Sequence, residues 1–179
     1  MKKLIATLMA LTLVITMAAT AALAEESVQW VFRGGVEFDM DMEQVMELEN
    51  RPKYEIESEK TRGTVEFYEL EYEDIVEEGI KYDLKYLFVG NSLVAIHYDF
   101  DDGVSYDTIK GKLAAYGEAV PFDAAAIGNG KYAVDDDGDL KDCVEMINAG
   151  DGLIIVLERD KDGDVDVTFV NVNAAYINA

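Results

Sequence analysis

Few side chains in this sequence are equipped for covalent chemistry. His97 is the single histidine and Cys143 the single cysteine. A thiol beside an imidazole can form an activated nucleophile, but nothing around either residue matches a known signature for one. One histidine and one cysteine also fall short of a conventional zinc ligand set. Gly128-Asn129-Gly130-Lys131 lacks the upstream glycine and the following Ser or Thr of a phosphate-binding loop. Paired carboxylates can hydrolyse glycosides, yet among 37 acidic residues no two stand out. The expectation is a chain that is not an enzyme and has no catalytic residues.

One stretch does have ligand spacing: Asp160-Lys161-Asp162-Gly163-Asp164-Val165-Asp166. Asp160, Asp162, Asp164 and Asp166 place carboxylates at alternate positions, as a calcium loop does at positions 1, 3, 5 and 7. Val165 stands where such a loop needs glycine, Asn171 where it needs glutamate, and the flanks read as strands rather than helices. Asp135, Asp137 and Asp139 form a similar acidic turn. A hairpin turn is the primary reading, with these four aspartates as candidate metal ligands and weak calcium as the only cofactor. A calcium-binding extracellular structural module is accordingly the alternative to a plain interaction role.

The elements that position these residues are clearest in Ile80 to Phe100, IKYDLKYLFVGNSLVAIHYDF. Side chains alternate along a strand, so Tyr82, Leu84, Tyr86 and Phe88 share one face. Val94, Ile96, Tyr98 and Phe100 do the same on a second strand, and His97 falls on the opposite face. Gly90-Asn91 suits a two-residue type II′ turn, which would put the two apolar sets on opposite sides. A three-residue loop, or an equivalent bulge, pairs Tyr86 with Ile96 and Leu84 with Tyr98. A one-residue slip turns a whole strand over, so burial favours the second register.

Upstream, Val28 to Phe32 reads as a short strand holding Trp30, and Val36 and Phe38 resume the alternation. Asp41, with Gln44 three residues on, signals a capped helix through Met42, Val45, Met46 and Glu49, which Asn50-Arg51-Pro52 ends. Residues 55–62 are a loop or an exposed strand. Thr64 to Tyr72 alternates Tyr68, Leu70 and Tyr72 against Glu69, Glu71 and Glu73, as a sheet covered on one side does. Asp74 to Gly79 reads as an acidic turn, making 64–100 a three-stranded meander. A second helix follows, with Ser105 as cap, Tyr106, Ile109, Leu113 and Tyr116 on its buried stripe, and Gly117 at its end. Further strands are expected at Tyr132 to Val134, Leu153 to Glu158 and Val165 to Val170, with turns at Asp151-Gly152 and Asp162-Gly163. Leu140 to Ile147 suits a strand or a short helix equally, and the thiol of Cys143 is expected to be buried there.

Composition and the N-terminus bound the role. Lys2 and Lys3 precede an apolar run from Leu4 to about Met17, and Ala22-Leu23-Ala24 fits a cleavage site. Residues 1–24 are expected to be a signal peptide, leaving residues 25–179 as a single α+β domain with no stable membrane anchor. Its place is then secreted or extracellular, or periplasmic where the envelope has two membranes. Loss of the two lysines deepens the formal charge of −22 to −24. Such a surface repels nucleic acid and anionic membranes; it keeps an exported chain soluble, and the sharper reading is a basic protein partner or cation binding.

Asp41-Met-Glu-Gln-Val45 and Ser105-Tyr-Asp-Thr-Ile109 share a pattern of cap, bulky apolar, acid, polar and β-branched residue. Each precedes a set of strands, which implies diverged helix-then-meander half-repeats over residues 28–100 and 101–172. The Phe32-Arg33-Gly34 segment, the Glu37-Phe38-Asp39-Met40 run into a capped helix, and the central hairpin resemble small secreted bacterial proteins of the β-lactamase-inhibitor-like group. The barrel-assembly lipoproteins are relatives in architecture. The resemblance spans roughly Trp30 to Val170 and implies an α+β, antiparallel fold that binds other proteins through its sheet face and loops. The chain departs from the inhibitors in lacking paired cysteines, and from the lipoproteins in lacking a lipidated one. The functional expectation is therefore an exported, non-enzymatic interaction module.

Overall fold

A computed structural model describes residues 35–59, 66–123 and 142–174, all in the unit that runs from Gly34 to Ala179. The elements are α1 (Met42–Glu49), β1 (Glu55–Glu59), β2 (Phe67–Glu77), β3 (Ile80–Val89) and β4 (Ser92–Phe100), then α2 (Tyr106–Leu113), β5 (Val120–Pro121), β6 (Cys143–Gly150), β7 (Leu153–Arg159) and β8 (Val165–Asn171). All eight strands form one antiparallel sheet in the order β1-β2-β3-β4-β8-β7-β6-β5. The fold is thus α+β, with β4 and β8 side by side at the centre and β1 and β5 at the margins.

Each helix begins and ends for a local reason. The Asp41 side chain accepts from the Gln44 backbone N–H at 2.8 Å, and the Gln44 side chain accepts from the Asp41 N–H at 3.0 Å, a reciprocal cap that satisfies two otherwise orphaned donors. Asn50 ends α1 in the left-handed region. Ser105 stands before α2 but makes no side-chain cap, and the helix tightens into a 3₁₀ turn at Ala114–Tyr116 before Gly117.

Both helices cover the same side of the sheet. Leu70, Tyr86, Ile96, Phe169, Ile155 and Ile147 form one cross-strand row there, and all are essentially buried. From α1, Val45 is buried and Glu49 accepts a hydrogen bond from the Tyr86 hydroxyl. From α2, Ile109 and Leu113 are buried, while Tyr106 and Lys110 reach Glu145 on β6. These two donors hold the Glu145 carboxyl below the usual carboxylate range. Among the described residues, seven aromatic rings of this layer are nearly inaccessible, including Tyr82, Tyr98, Phe100 and Phe169, which meet in tilted, stacked and edge-on contacts. Such pairs add about 0.5–1.5 kcal/mol each beyond burial.

The central hairpin reconciles both register signals. Gly90 and Asn91 form a two-residue loop between Val89 and Ser92, with positive φ at Gly90 (+61°) and not at Asn91, as a type II′ turn requires. A bulge then follows: Leu87 pairs with Ala95 but Phe88 with Leu93, leaving Val94 as the extra residue. Tyr86 therefore faces Ile96, Leu84 faces Tyr98 and Tyr82 faces Phe100. The bulge corrects one assignment. Leu93 takes the place expected of Val94, and Val94 packs with Val89, Ala95, Val170 and Ala174 in a separate cluster.

Other boundaries differ from expectation. The meander has four strands, because Glu55–Glu59 pairs with β2 as a marginal strand. β2 continues to Glu77, so the turn is Glu78-Gly79, and Asp74 is a bulge residue whose N–H donates to the Asp83 carboxylate at 2.7 Å. Residues 143–150 form a strand, resolving the ambiguity over 140–147. Among expected features, the N-terminal segment through Arg33-Gly34, the Gly128–Lys131 stretch, the Tyr132–Val134 strand, Asp135, Asp137 and Asp139 lie outside the described residues, as does the side chain of Cys143.

Candidate functional site: two acidic rows and an apolar margin

The side chains with catalytic potential are placed as follows. His97 lies on the sheet face away from the helices, its Nδ1 2.9 Å from Thr168 Oγ1 and its Nε2 3.8 Å from Asp166. A hydroxyl, an imidazole and a carboxylate in sequence have the makings of a relay. Thr168 is only 2% exposed, however, so its hydroxyl offers no substrate an approach. Cys143 starts β6, which β7 and β8 separate from the β4 strand of His97.

The four aspartates of the acidic stretch do different jobs. Asp160 Oδ1 accepts from the backbone N–H groups of Asp162, Gly163 and Asp164, at 2.9, 2.8 and 2.9 Å. That carboxylate organises its own turn, and the Asp160 N–H returns to the Asp164 carbonyl. Asp164 is hydrogen-bonded to Asp102, which pushes its carboxyl up to about 6. Asp166 sits in β8 beside His97. Among the described residues, no group of three or more His, Cys, Asp or Glu side chains is placed to hold a metal ion.

Asp166 belongs instead to a row that the sequence did not reveal. Asp83 pairs with Asp99, Asp99 with Asp166, and Asp166 with Glu158, so four acids line up across β3, β4, β8 and β7. Burial, followed by the neighbouring Asp166 charge, pushes Asp99 up to about 6, while Lys85 works the other way. Lys85, from the adjacent position on β3, bonds Glu71 at 3.2 Å. The signal was present only as acids on separate strands, and it becomes a row once register is known.

A second acidic row lies at the β1 margin. Glu55 is directly opposite Glu71, and Glu57 directly opposite Glu69. Like charges in directly opposed positions destabilise a sheet. On the other face of the same margin, Tyr54 and Ile56 are 45% and 49% exposed. Tyr54 leans on the buried Tyr72 ring, centroids 6.3 Å apart. Beside them opens a shallow groove of about 500 Å³ lined by Met42, Ile56, Tyr68 and Phe88, with Glu66 at its end. The margin thus offers apolar surface on one face and negative charge on the other.

Behind the margin, Tyr72, Tyr82 and Tyr86 converge on Glu49, Arg51 and Glu77. Tyr82 donates to Glu77 at 2.8 Å, and Arg51 bridges Glu49 and Glu77 at 3.2 and 3.4 Å. Among the described residues, the buried Tyr72 hydroxyl has no hydrogen-bond partner. Burial, then the Glu49 charge, pushes it up to about 12. This cluster ties α1 to the sheet behind the margin.

No family model matches the chain, and neither a curated protein nor a solved structure matches it.

Proposed function

We propose that this chain is an exported, non-enzymatic interaction module that binds a basic protein partner. The observation that carries this reading is the pairing of Glu55 with Glu71 and Glu57 with Glu69 on an exposed margin, next to the exposed Tyr54 and Ile56. Lys85 offsets part of the charge at Glu71, and the exposed Glu55 and Glu57 keep a residual like-charge cost in the free state. A partner bearing lysine or arginine would relieve that repulsion on binding, and fixed charge of one sign speeds its encounter. The formal charge of −22 extends the same field over the whole surface. Export rests on the basic-then-apolar N-terminus with its Ala22-Leu23-Ala24 site.

The order of elements also supports the duplication and the inhibitor-like resemblance. A helix followed by four antiparallel strands occurs twice, and the sheet order runs inward from each margin to β4 and β8. In this reading the two halves descend from one helix-then-meander unit, and the acidic margin is a specialisation of the first.

Partner capture tests the role. The chain as its host exports it is used to capture partners from culture supernatant and cell-surface extract, with elution at increasing salt. A basic protein should be retained at about 50 mM salt and largely released by about 500 mM, where screening lengths fall below contact spacing. A salt-insensitive complex would overturn the charge-guided mechanism, and turnover that co-purifies with the chain would overturn the non-enzymatic reading.

A further inference from the structure

Among the described residues β1 ends the sheet, and no strand pairs with its outer side. An unpaired strand edge is a row of backbone donors and acceptors, ready to template another chain. β1 spans five residues, Glu55–Glu59, which at the usual rise is about 17 Å of edge. Charged side chains commonly blunt such edges. Here Glu55 and Glu57 lie exposed on one face, and Ile56 on the opposite face is 49% exposed.

We propose that β1 receives an added strand from a partner protein, and that the strand alternates basic and apolar residues. This rests on the interaction role above and specifies its partner chemistry. In an antiparallel sheet, residues directly opposite each other share a face. Residues of the incoming strand opposite Glu55 and Glu57 therefore meet two exposed carboxylates, backed by Glu69 and Glu71 of β2. The residues between them meet Ile56, with Tyr54 and the Met42–Tyr68–Phe88 groove alongside. Backbone hydrogen bonds supply affinity, and the alternation of side chains supplies selectivity.

The same charges reject the other obvious occupant. A second copy of the chain pairing β1 with β1 would set glutamates against glutamates, between two molecules each carrying a formal charge of −22. Like charges directly opposite are destabilising, so self-association through this edge is disfavoured and a basic strand is admitted. The edge is thus closed to its own kind and open to one chemistry.

The test uses the purified full chain and two synthetic peptides of about seven residues. One holds lysine and valine in strict alternation; the other has the same composition with the lysines and valines in blocks. Fluorescence anisotropy should show the alternating peptide binding at least about tenfold more tightly than the blocked one. Backbone amide NMR should show new exchange protection along residues 55–59. The double variant Glu55→Lys, Glu57→Lys should weaken the alternating peptide at least about tenfold, since two attractive pairs become repulsive. That variant also removes the cross-strand repulsion, so its melting temperature should stay equal or rise, which separates lost binding from lost folding.

Equal affinity for both peptides, undiminished binding by the double variant, or protection appearing elsewhere than β1 would each overturn strand addition. A captured partner that the double variant still holds would overturn the edge as its site while leaving the interaction role standing. Failure of capture at every salt concentration, by contrast, would remove the role itself.

Discussion

Asp99→Asn should stabilise the protein at neutral pH, and the gain should vanish in acid. Asp99 lies between Asp83 and Asp166 in the central row, and its carboxyl is pushed from 3.8 up to about 6. A carboxyl whose folded value is raised is bound to a proton more tightly in the folded state than in the unfolded one. Stability from this group therefore falls as pH rises from about 4 to about 6, and the cost of holding the charge is fully present above that window. A shift of about two units corresponds to about 3 kcal/mol for a fully buried group. Asp99 is only half-buried, and screening by solvent reduces this to about 1 kcal/mol. Asparagine keeps the shape and cannot ionise. Urea unfolding of both proteins at pH 7.5 and pH 4 is the assay, with the difference between them as the readout. The difference also carries the response of Asp164, whose carboxyl is pushed up to about 6 by its hydrogen bond to Asp102 and, to a lesser extent, by the Asp99 charge itself. A variant that is less stable at pH 7.5, or a gain that persists unchanged at pH 4, would refute the reasoning.

Four further outcomes follow. Tyr86→Ala should cost roughly 3–5 kcal/mol, the usual figure for a large buried aromatic. Lys85→Ala, on the other face, should cost about 1 kcal/mol through loss of the Glu71 pair; equal losses in chemical denaturation would contradict the one-sided core. Tyr72→Phe should be neutral or stabilising by up to about 1 kcal/mol, because it deletes a buried hydroxyl without a partner; a clear fall in melting temperature would show that the hydroxyl is satisfied. Calorimetric titration with calcium should detect nothing tighter than about millimolar, since Asp160 Oδ1 is committed to three backbone N–H groups; micromolar binding lost in Asp162→Ala would promote the calcium reading. Intact mass of the exported chain should begin at Glu25, and retention of residues 1–24 in the membrane fraction would defeat the export expectation.

The strands that could be read from the sequence are those with one apolar face. Tyr82 to Phe88 and Ile96 to Phe100 alternate strictly, so burial alone fixes Tyr86 opposite Ile96. Asp41 with Gln44 declares α1, because that cap is local chemistry. What escaped were irregularities whose cause is tertiary. Val94 looks like a core residue of the hairpin, but the two-residue turn and the one-sided core agree only if one residue bulges, and Val94 is that residue. Glu55–Glu59 has weak strand character, and it pairs because β2 presents a free side to it. Asp74 reads as a turn residue in the sequence, yet its left-handed backbone and its bond to Asp83 let β2 run on past it. The candidate site was legible as charge and as aromatics, and its address was not, since cross-strand neighbours cannot be known before register.

Register also separates two kinds of acid that composition treats alike. In the central row, Asp99 is half-buried against Asp166 and answers to protons, because desolvation penalises its charge more than bulk water can relieve. At the margin, Glu55 and Glu57 are exposed and lie directly opposite Glu71 and Glu69. What an exposed repulsive pair retains is a preference for opposite charge delivered at fixed geometry, which mobile ions cannot supply and an aligned strand can. The central row therefore contributes to how the fold responds to pH, and the proposed role of the marginal row is to select what is accepted beside β1. A variant series tests that separation: Asp99→Asn should change stability against pH and leave peptide binding at β1 intact. Glu55→Lys with Glu57→Lys should weaken binding at least about tenfold while leaving the effect of Asp99→Asn on stability, and its loss between pH 7.5 and pH 4, as they were. Cross-effects between the two sets larger than about 0.5 kcal/mol, the limit for distant independent sites, would mean that the rows act as one field and that the division of labour is wrong.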